Sequence, residues 1–182
     1  TGDRAALDAC RFHSEAMAEA VARFCRVVKE ESGGALLTGA FYGYHSYVAD
    51  VRMGHTALSR LLACPDIDFL ASPNQYDRSP GIDWPPMAAV DSVRLHGKLW
   101  MAENDTRTAL TRPLAERAPG ICPEGKYRGG VWEGPASMAV SAALLRNNVA
   151  RMVTHGYGGW WFDMWGGWFS DPDLLAELAA GQ

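Results

Sequence analysis

The run Lys98-Leu99-Trp100-Met101-Ala102-Glu103 decides the fold class of this 182-residue chain. It is short and mostly apolar, it ends in an acid, and the polar run Asn104-Asp105-Thr106-Arg107-Thr108 follows it. A continuous apolar run of this length is typical of a buried strand in a parallel sheet. We therefore expect an α/β chain in which a functional loop begins where this strand ends.

The pattern of strand, long loop and helix occurs four times along the chain. The other three strands are predicted over residues 35–41, 67–72 and 157–162. A helix is predicted before the first of them, and it ends at Ser32-Gly33-Gly34. Its apolar residues at helical spacing are Met17, Val21, Phe24 and Val28. The first three strands begin about 30 residues apart, a spacing that suits right-handed βαβ crossovers and a parallel sheet.

Helices are predicted between and after the strands. We expect them around residues 56–62, from Pro85-Pro86 to Gly97, near 107–117 and from Pro135 to Gly156. Ser170 is predicted to cap the last helix. The long helix after Pro135 has a predicted core stripe of Met138, Val140, Leu144, Leu145, Val149 and Met152.

The loops that leave the strands are long and rich in aromatic and polar residues, whereas the loops that enter them are short. In βα folds, ligands and chemistry lie at the carboxyl edge of the strands. Glu103 ends the third strand and is the candidate catalytic residue; the alternative is an acid that pairs with Arg107 to anchor the loop. Asp163 occupies the equivalent place after the fourth strand.

Four tryptophans lie within nine residues, beside two glycine pairs; they are Trp160, Trp161, Trp165 and Trp168. Indole rings stack on the apolar faces of sugars, although at least one of the four is expected to fill the core. The glycine-rich loop over 119–134, which contains Trp132, can close over a site. The predicted substrate-binding residues are Tyr44, His45, Asn74, Tyr76, Asp105, Arg107, Trp161, Asp163 and Trp165.

Composition excludes several classes of protein. A net charge of -4 gives no basic surface for nucleic acid or an anionic membrane, and no apolar run approaches the ~20 residues that span a bilayer. Residues 1–8 do not read as a secretory signal. The scattered cysteines, Cys10, Cys25, Cys64 and Cys122, are expected to be core thiols and not metal ligands or a disulfide framework. The sequence therefore does not determine the cellular compartment. For a soluble protein, the cytoplasm is the location that we expect.

The strand that ends at Glu103 resembles the seventh strand of retaining β-galactosidases of glycoside hydrolase family 42 and related clan A barrels. There a Trp- and Met-containing strand ends in the nucleophilic Glu. Residues 11–29 resemble the fourth helix of that family and Leu37-Thr38-Gly39-Ala40-Phe41 its fifth strand. Pro86-Met87-Ala88-Ala89 is similar to the start of the sixth helix, and Trp161-Phe162-Asp163-Met164-Trp165 to the eighth strand.

The resemblance implies that residues 1–182 are a single partial domain, the second half of a (β/α)8 TIM barrel from its fourth helix to its eighth strand and helix. It implies a retaining hydrolase of a β-galactoside or related glycoside, with Glu103 as the nucleophile and no cofactor or metal. The acid/base Glu would follow an Asn upstream of this chain, since the chain has no Asn-Glu pair. We expect the fragment alone to be inactive, because its missing N-terminal half supplies that residue.

A non-catalytic function is the alternative. Four strands leave an open sheet with two exposed edges, which a second copy of the chain can cover. In that case the chain is a half-barrel that forms a homo-oligomer and binds carbohydrate at its tryptophan-rich edge without hydrolysis.

Overall fold

The computed structural model describes residues 3–43, 50–123 and 125–181. Four strands form one parallel sheet in chain order: β1 (Gly39–Phe41), β2 (Phe69–Pro73), β3 (Leu99–Asn104) and β4 (Gly158–Trp161). The helices are α1 (Arg4–Glu31), α2 (Leu58–Ala63), α3 (Val90–Leu95), α4 (Leu114–Arg117), α5 (Met138–His155) and α6 (Pro172–Ala180). Single 3-10 turns occur at Val51–Met53 and Gly130–Trp132. The predicted α/β class with a parallel sheet is confirmed.

The chain divides into two compact units. The first contains Thr1–Pro73 and Pro86–Ala102, and the second contains Asn74–Pro85 and Glu103–Gln182. The boundary crosses β3 just before Glu103. The described residues of the candidate site therefore all belong to the second unit.

In the first unit, β1 pairs with β2 in parallel, with Gly39 opposite Phe69. Lys98, just before β3, is buried, and its Nζ donates to the carbonyls of Cys64 and Ile67, 2.7 Å from each oxygen. These bonds satisfy a buried cation. The largest fully buried side chains of this unit are Tyr42, Leu61, Leu70, Met87, Val93 and Trp100.

The predicted first helix is confirmed as α1, which the side chain of Asp3 caps and which ends at Ser32. The prediction of a buried first strand over 35–41 is wrong in extent and burial. The strand begins only at Gly39, and Leu36, Leu37 and Phe41 are 56%, 67% and 47% exposed. The apolar run satisfied the pattern for a buried parallel strand, but burial also needs elements over both faces.

In the second unit, α5 and α6 pack around a core of Leu145, Trp168, Phe169, Leu174 and Leu178. As predicted, α5 ends at Gly156, which takes a left-handed conformation with φ 65°. Leu144 and Leu145 of the predicted stripe are buried, yet the same face also buries Ser141, Asn148 and Arg151. Each of these polar residues has a hydrogen-bond partner: Ser141 Oγ accepts from the amide of Ala109, Asn148 donates to Thr106, and Arg151 donates to Asp83. One side-chain atom each of Asn148 and Arg151 has no partner among the described residues.

Three predicted helix starts are corrected. The helix near 107–117 is only the single turn Leu114–Arg117, because Thr108 directs its amide to the hydroxyl of Thr111 and its own hydroxyl to the carbonyl of Trp168. The helix expected from Pro85 begins at Val90. Asp171, and not Ser170, caps α6.

Asp171 caps α6 because its carboxylate accepts from two amides of the first turn. Its Oδ1 accepts from the amides of Asp173 and Leu174 at 2.9 and 3.3 Å. Ser170 instead donates to the carbonyl of Gly167.

All four cysteines are free thiols, and Cys25, Cys64 and Cys122 are buried as predicted, whereas Cys10 is only partly buried. Within the described ranges, no helix combines the length and the apolarity needed to cross a membrane.

Candidate functional site

Glu103 lies at the carboxyl end of β3, where the strand pattern predicts chemistry. It is 8% exposed, and the next residue, Asn104, ends the strand. The carbonyl of Asn104 accepts from the amide of Phe162 at 3.1 Å, which links β3 to the chain at the end of β4. The strand thus holds the carboxyl group of Glu103 where the charges of Asp105, Arg78 and Arg107 act on it.

Two arginines share the carboxylate of Asp105, the first loop residue after β3. Its Oδ1 lies 2.5 Å from Nη1 of Arg78, and its Oδ2 lies 2.6 Å from Nη1 of Arg107. All three side chains are nearly inaccessible to water, at 3% exposed for Asp105, 6% for Arg78 and 5% for Arg107. We call these three residues the Asp105 network. A single buried carboxylate therefore pairs with two buried cations.

The surroundings of Glu103 oppose its ionisation. Burial, and then the negative charge of Asp105, raise the pKa of Glu103 to about 7, while Arg78 and Arg107 lower it. Burial also lowers the pKa of Arg107, against the opposing effect of Asp105. A carboxyl group with a pKa near neutrality is typical of sites that perform acid–base or nucleophilic chemistry.

Three tryptophans surround the guanidinium of Arg107. Its carbon lies 4.4 Å from the ring centre of Trp168, 5.0 Å from that of Trp165 and 5.7 Å from that of Trp132. Trp165 packs edge-on against Trp168 and stacks on Trp132, with centroids 4.8 and 6.2 Å apart. We call Trp132, Trp165 and Trp168 the tryptophan cluster. The glycine-rich loop thus brings Trp132 next to the Asp105 network.

The loop after β2 contributes the amide and phenol predicted there. Asn74 is buried, and its Nδ2 donates to Oδ1 of Asn104 at 3.1 Å. The guanidinium of Arg78 lies 5.2 Å from the ring centre of Tyr76. Burial and the charge of Asp105 raise the pKa of Tyr76. Both residues therefore lie beside the Asp105 network.

A cavity of about 300 Å³ opens beside the two arginines. Its lining includes Tyr76, Arg78, Trp84, Arg107 and Glu133. We call it the arginine cavity. Its size is at the lower end of small-ligand sites, and it combines aromatic walls with a few polar groups, as such sites do.

The contacts described for Asp163 and Trp161 are with residues outside the Asp105 network. The carboxylate of Asp163 accepts from the amides of Gly166 and Trp168 at 2.9 and 3.0 Å, which closes the turn after β4. Trp161 is half-buried and packs edge-on against Phe169 at the core between α5 and α6. Their predicted substrate contacts stay predictions.

Six of the predicted site residues lie near one another in the structure: Asn74, Tyr76, Glu103, Asp105, Arg107 and Trp165. Tyr44 and His45 lie outside the described residues. The sequence analysis missed Arg78, Asn104 and the contact of Trp168 with Arg107. Arg78 is a lone arginine in a Pro- and Asp-containing loop, a pattern that gives no signal. Among the residues that the structure describes, no three His, Cys, Asp or Glu side chains group as a metal site requires.

Comparison of the chain with protein-family models, with curated proteins and with solved structures gave no match.

Proposed function

We propose that this chain is the second half of the (β/α)8 barrel of a retaining glycoside hydrolase that acts on a β-galactoside or a related glycoside. The observation that carries the proposal is the buried carboxyl of Glu103 at the end of β3, with a pKa raised to about 7. The charges of Arg78 and Arg107 act on that carboxyl group, and the rings of Trp165 and Trp168 lie against Arg107. Aromatic rings near a buried carboxyl group suit a sugar-processing site. The part of the barrel from its first to its fourth strand would be supplied by the protein's own N-terminal half.

In this proposal Glu103 is the nucleophile. Its ionised oxygen bonds to the anomeric carbon as the glycosidic C–O bond breaks, and the leaving oxygen takes a proton from a second carboxylic acid. That acid belongs to the first half of the barrel. In its conjugate-base form it then removes a proton from water, which attacks the anomeric carbon and releases Glu103, so the sugar leaves with retained configuration.

The neighbours of Glu103 serve this reaction through charge and orientation. Arg78 and Arg107 favour the ionised form that attacks, and they offset the burial that disfavours it. In this proposal the aromatic rings of Trp165 and Tyr76 pack against a sugar ring. The side-chain oxygen of Asn74, which has no hydrogen-bond partner among the described residues, accepts from a hydroxyl group. No role in proton transfer falls to Asp163, whose carboxylate is committed to the turn after β4.

The test is chemical rescue in the full-length protein. Glu103→Ala should abolish hydrolysis of aryl glycosides, since several kcal/mol of barrier depend on the nucleophile and each ~1.4 kcal/mol is a factor of ten. Azide should partly restore release of an activated aryl group and give a glycosyl azide of inverted configuration, read by NMR.

Asp163→Ala is the matched control and should show no azide rescue. Retention of more than about a tenth of wild-type kcat by Glu103→Ala would contradict the assignment. Sugar binding by a homo-oligomer that never hydrolyses a glycoside would favour the non-catalytic half-barrel instead.

A further inference from the structure

We infer that the arginine cavity binds the anionic substituent of an acidic sugar, with Arg78 and Arg107 as its recognition residues. This inference rests on the proposed function and names the class of substrate: a glycoside whose ring carries a carboxylate, as in a hexuronic acid, or a sulfate ester. Both substituents offer oxygens to guanidinium groups.

The first argument is the balance of buried charge. Arg78 and Arg107 are both buried, and Asp105 is the acid that pairs with them. The nearby carboxyl group of Glu103 adds a second negative charge only in its ionised form. Of the described residues, both arginines line the cavity but Asp105 does not. Arg78 also donates to the carbonyls of Asn74, Gln75 and Asp105. The N–H groups left for an anion in the cavity therefore belong mainly to Arg107, and Arg78 contributes chiefly its charge.

The second argument is the unused hydrogen-bonding capacity of Arg107. Its Nη1 makes the bonds to Asp105, at 2.6 Å to both Oδ2 and the backbone carbonyl. Its Nε is buried and has no hydrogen-bond partner among the residues that the structure describes. A buried donor without a partner costs free energy, and a ligand oxygen beside the guanidinium can reduce that cost.

The third argument is that the acids at the cavity do not cancel the cations. Asp77 and Glu133 line the cavity, but both are exposed, so water and salt screen their charges. The two arginines are 5 to 6% exposed and are screened far less. Tyr76 and Trp84 supply the aromatic wall on which a sugar ring packs.

The experiment compares three probes by calorimetry on full-length Glu103→Gln protein, in which turnover is blocked. The probes are methyl β-galacturonide, methyl β-galactoside and the 6-sulfate of methyl β-galactoside. We expect at least one anionic probe to bind about tenfold or more tightly than the neutral one, the ratio that a single added charge-assisted hydrogen bond supplies. The tighter anionic probe identifies carboxylate or sulfate as the source; a neutral probe that binds equally well or better overturns the inference.

Arg107→Lys keeps the charge but removes the planar fork, and should reduce the preference for the anionic probe about tenfold. Arg112→Lys, on an exposed arginine outside the cavity lining, is the matched control and should leave the preference unchanged. Because the probe comparison needs no change at the arginines, the test stands even if Arg107→Lys does not fold.

Different results would contradict the proposed function and the inference of an anion site. Azide-rescuable hydrolysis of neutral glycosides without any anionic preference leaves the proposed function and overturns this inference. Preferential binding of an anionic sugar without hydrolysis leaves the anion site and overturns the proposed function.

Discussion

Nη1 of Arg107 lies 2.6 Å from Oδ2 of Asp105, with both side chains buried. The same guanidinium lies 4.4 Å from the ring centre of Trp168, and this contact joins the loop after β3 to the loop after β4. Arg78 joins the loop after β2 to the same carboxylate. The loops that leave three successive strands therefore meet around Asp105 and Arg107.

Replacing Asp105 should break this junction. Asp105→Asn leaves two buried guanidinium groups without their anion, and loss of one partner of a buried pair costs about 3 to 5 kcal/mol. Urea denaturation of the full-length protein should show a loss of that size. Asp77→Asn, at an exposed acid of the same site, should change the free energy of unfolding by less than about 0.5 kcal/mol. Equal effects of the two substitutions would contradict the role given to Asp105.

Ionisation of Glu103 should lower the free energy of unfolding as pH rises. Since its folded pKa of about 7 is above the ordinary value of 4.5, the folded state binds more protons than the unfolded state between those values. Its contribution is fully present below about pH 4.5 and is lost as pH rises through 7, a change of about 3 kcal/mol. Glu103→Gln should thus unfold at higher urea than wild type at pH 8, and with a much smaller difference at pH 4.5. The exposed Glu116→Gln should show no such dependence.

The pH dependence of catalysis should report the same group. A nucleophile attacks only when ionised, so kcat/KM should fall as pH drops below about 7, the pKa of Glu103 in the free protein. The measurement is a pH series with an aryl glycoside whose leaving group needs no protonation. An activity that instead falls as pH rises through 7 would make Glu103 the general acid.

Gly134 should be intolerant of a side chain. A Cβ atom at this position would collide with the backbone carbonyl of Thr108, in the loop that follows β3. Gly134→Ala should therefore destabilise the protein by about 2 to 3 kcal/mol, as overpacking does, and weaken sugar binding because Gly134 lines the arginine cavity. Gly120→Ala has open space and is the matched control. Thermal unfolding that gives the same midpoint for both variants would contradict this account.

The order of strands and helices could be predicted from the sequence because each strand is a short apolar run between turn residues. The burial of the first strand could not. Leu36 and Leu37 satisfy the pattern for a buried strand but are exposed, since hydrophobicity alone does not say which element covers a face. The non-helical segment before α4 could not be predicted either, because it depends on the bond from the side chain of Thr108 to Trp168, a residue distant in sequence.

Part of the candidate site could be predicted from the position of its residues relative to an apolar strand or to neighbouring tryptophans. Glu103 and Asp105 were found from their place after an apolar strand, and Trp165 from its place among tryptophans. Arg78 was missed because its importance comes from a tertiary ion pair with Asp105, 27 residues along the chain. Trp168 is fully buried, which confirms that one of the four tryptophans fills the core, yet its ring also contacts Arg107.

Covalent trapping tests the central claim most directly. Full-length protein is incubated with 2-deoxy-2-fluoro-β-glycosyl fluorides of galactose and galacturonic acid, and its peptides are then sequenced by mass spectrometry. The account predicts one fluoroglycosyl group, attached to Glu103, with loss of activity in step with labelling. A protein that hydrolyses glycosides while the label is carried by another carboxylate, or by none, would contradict it.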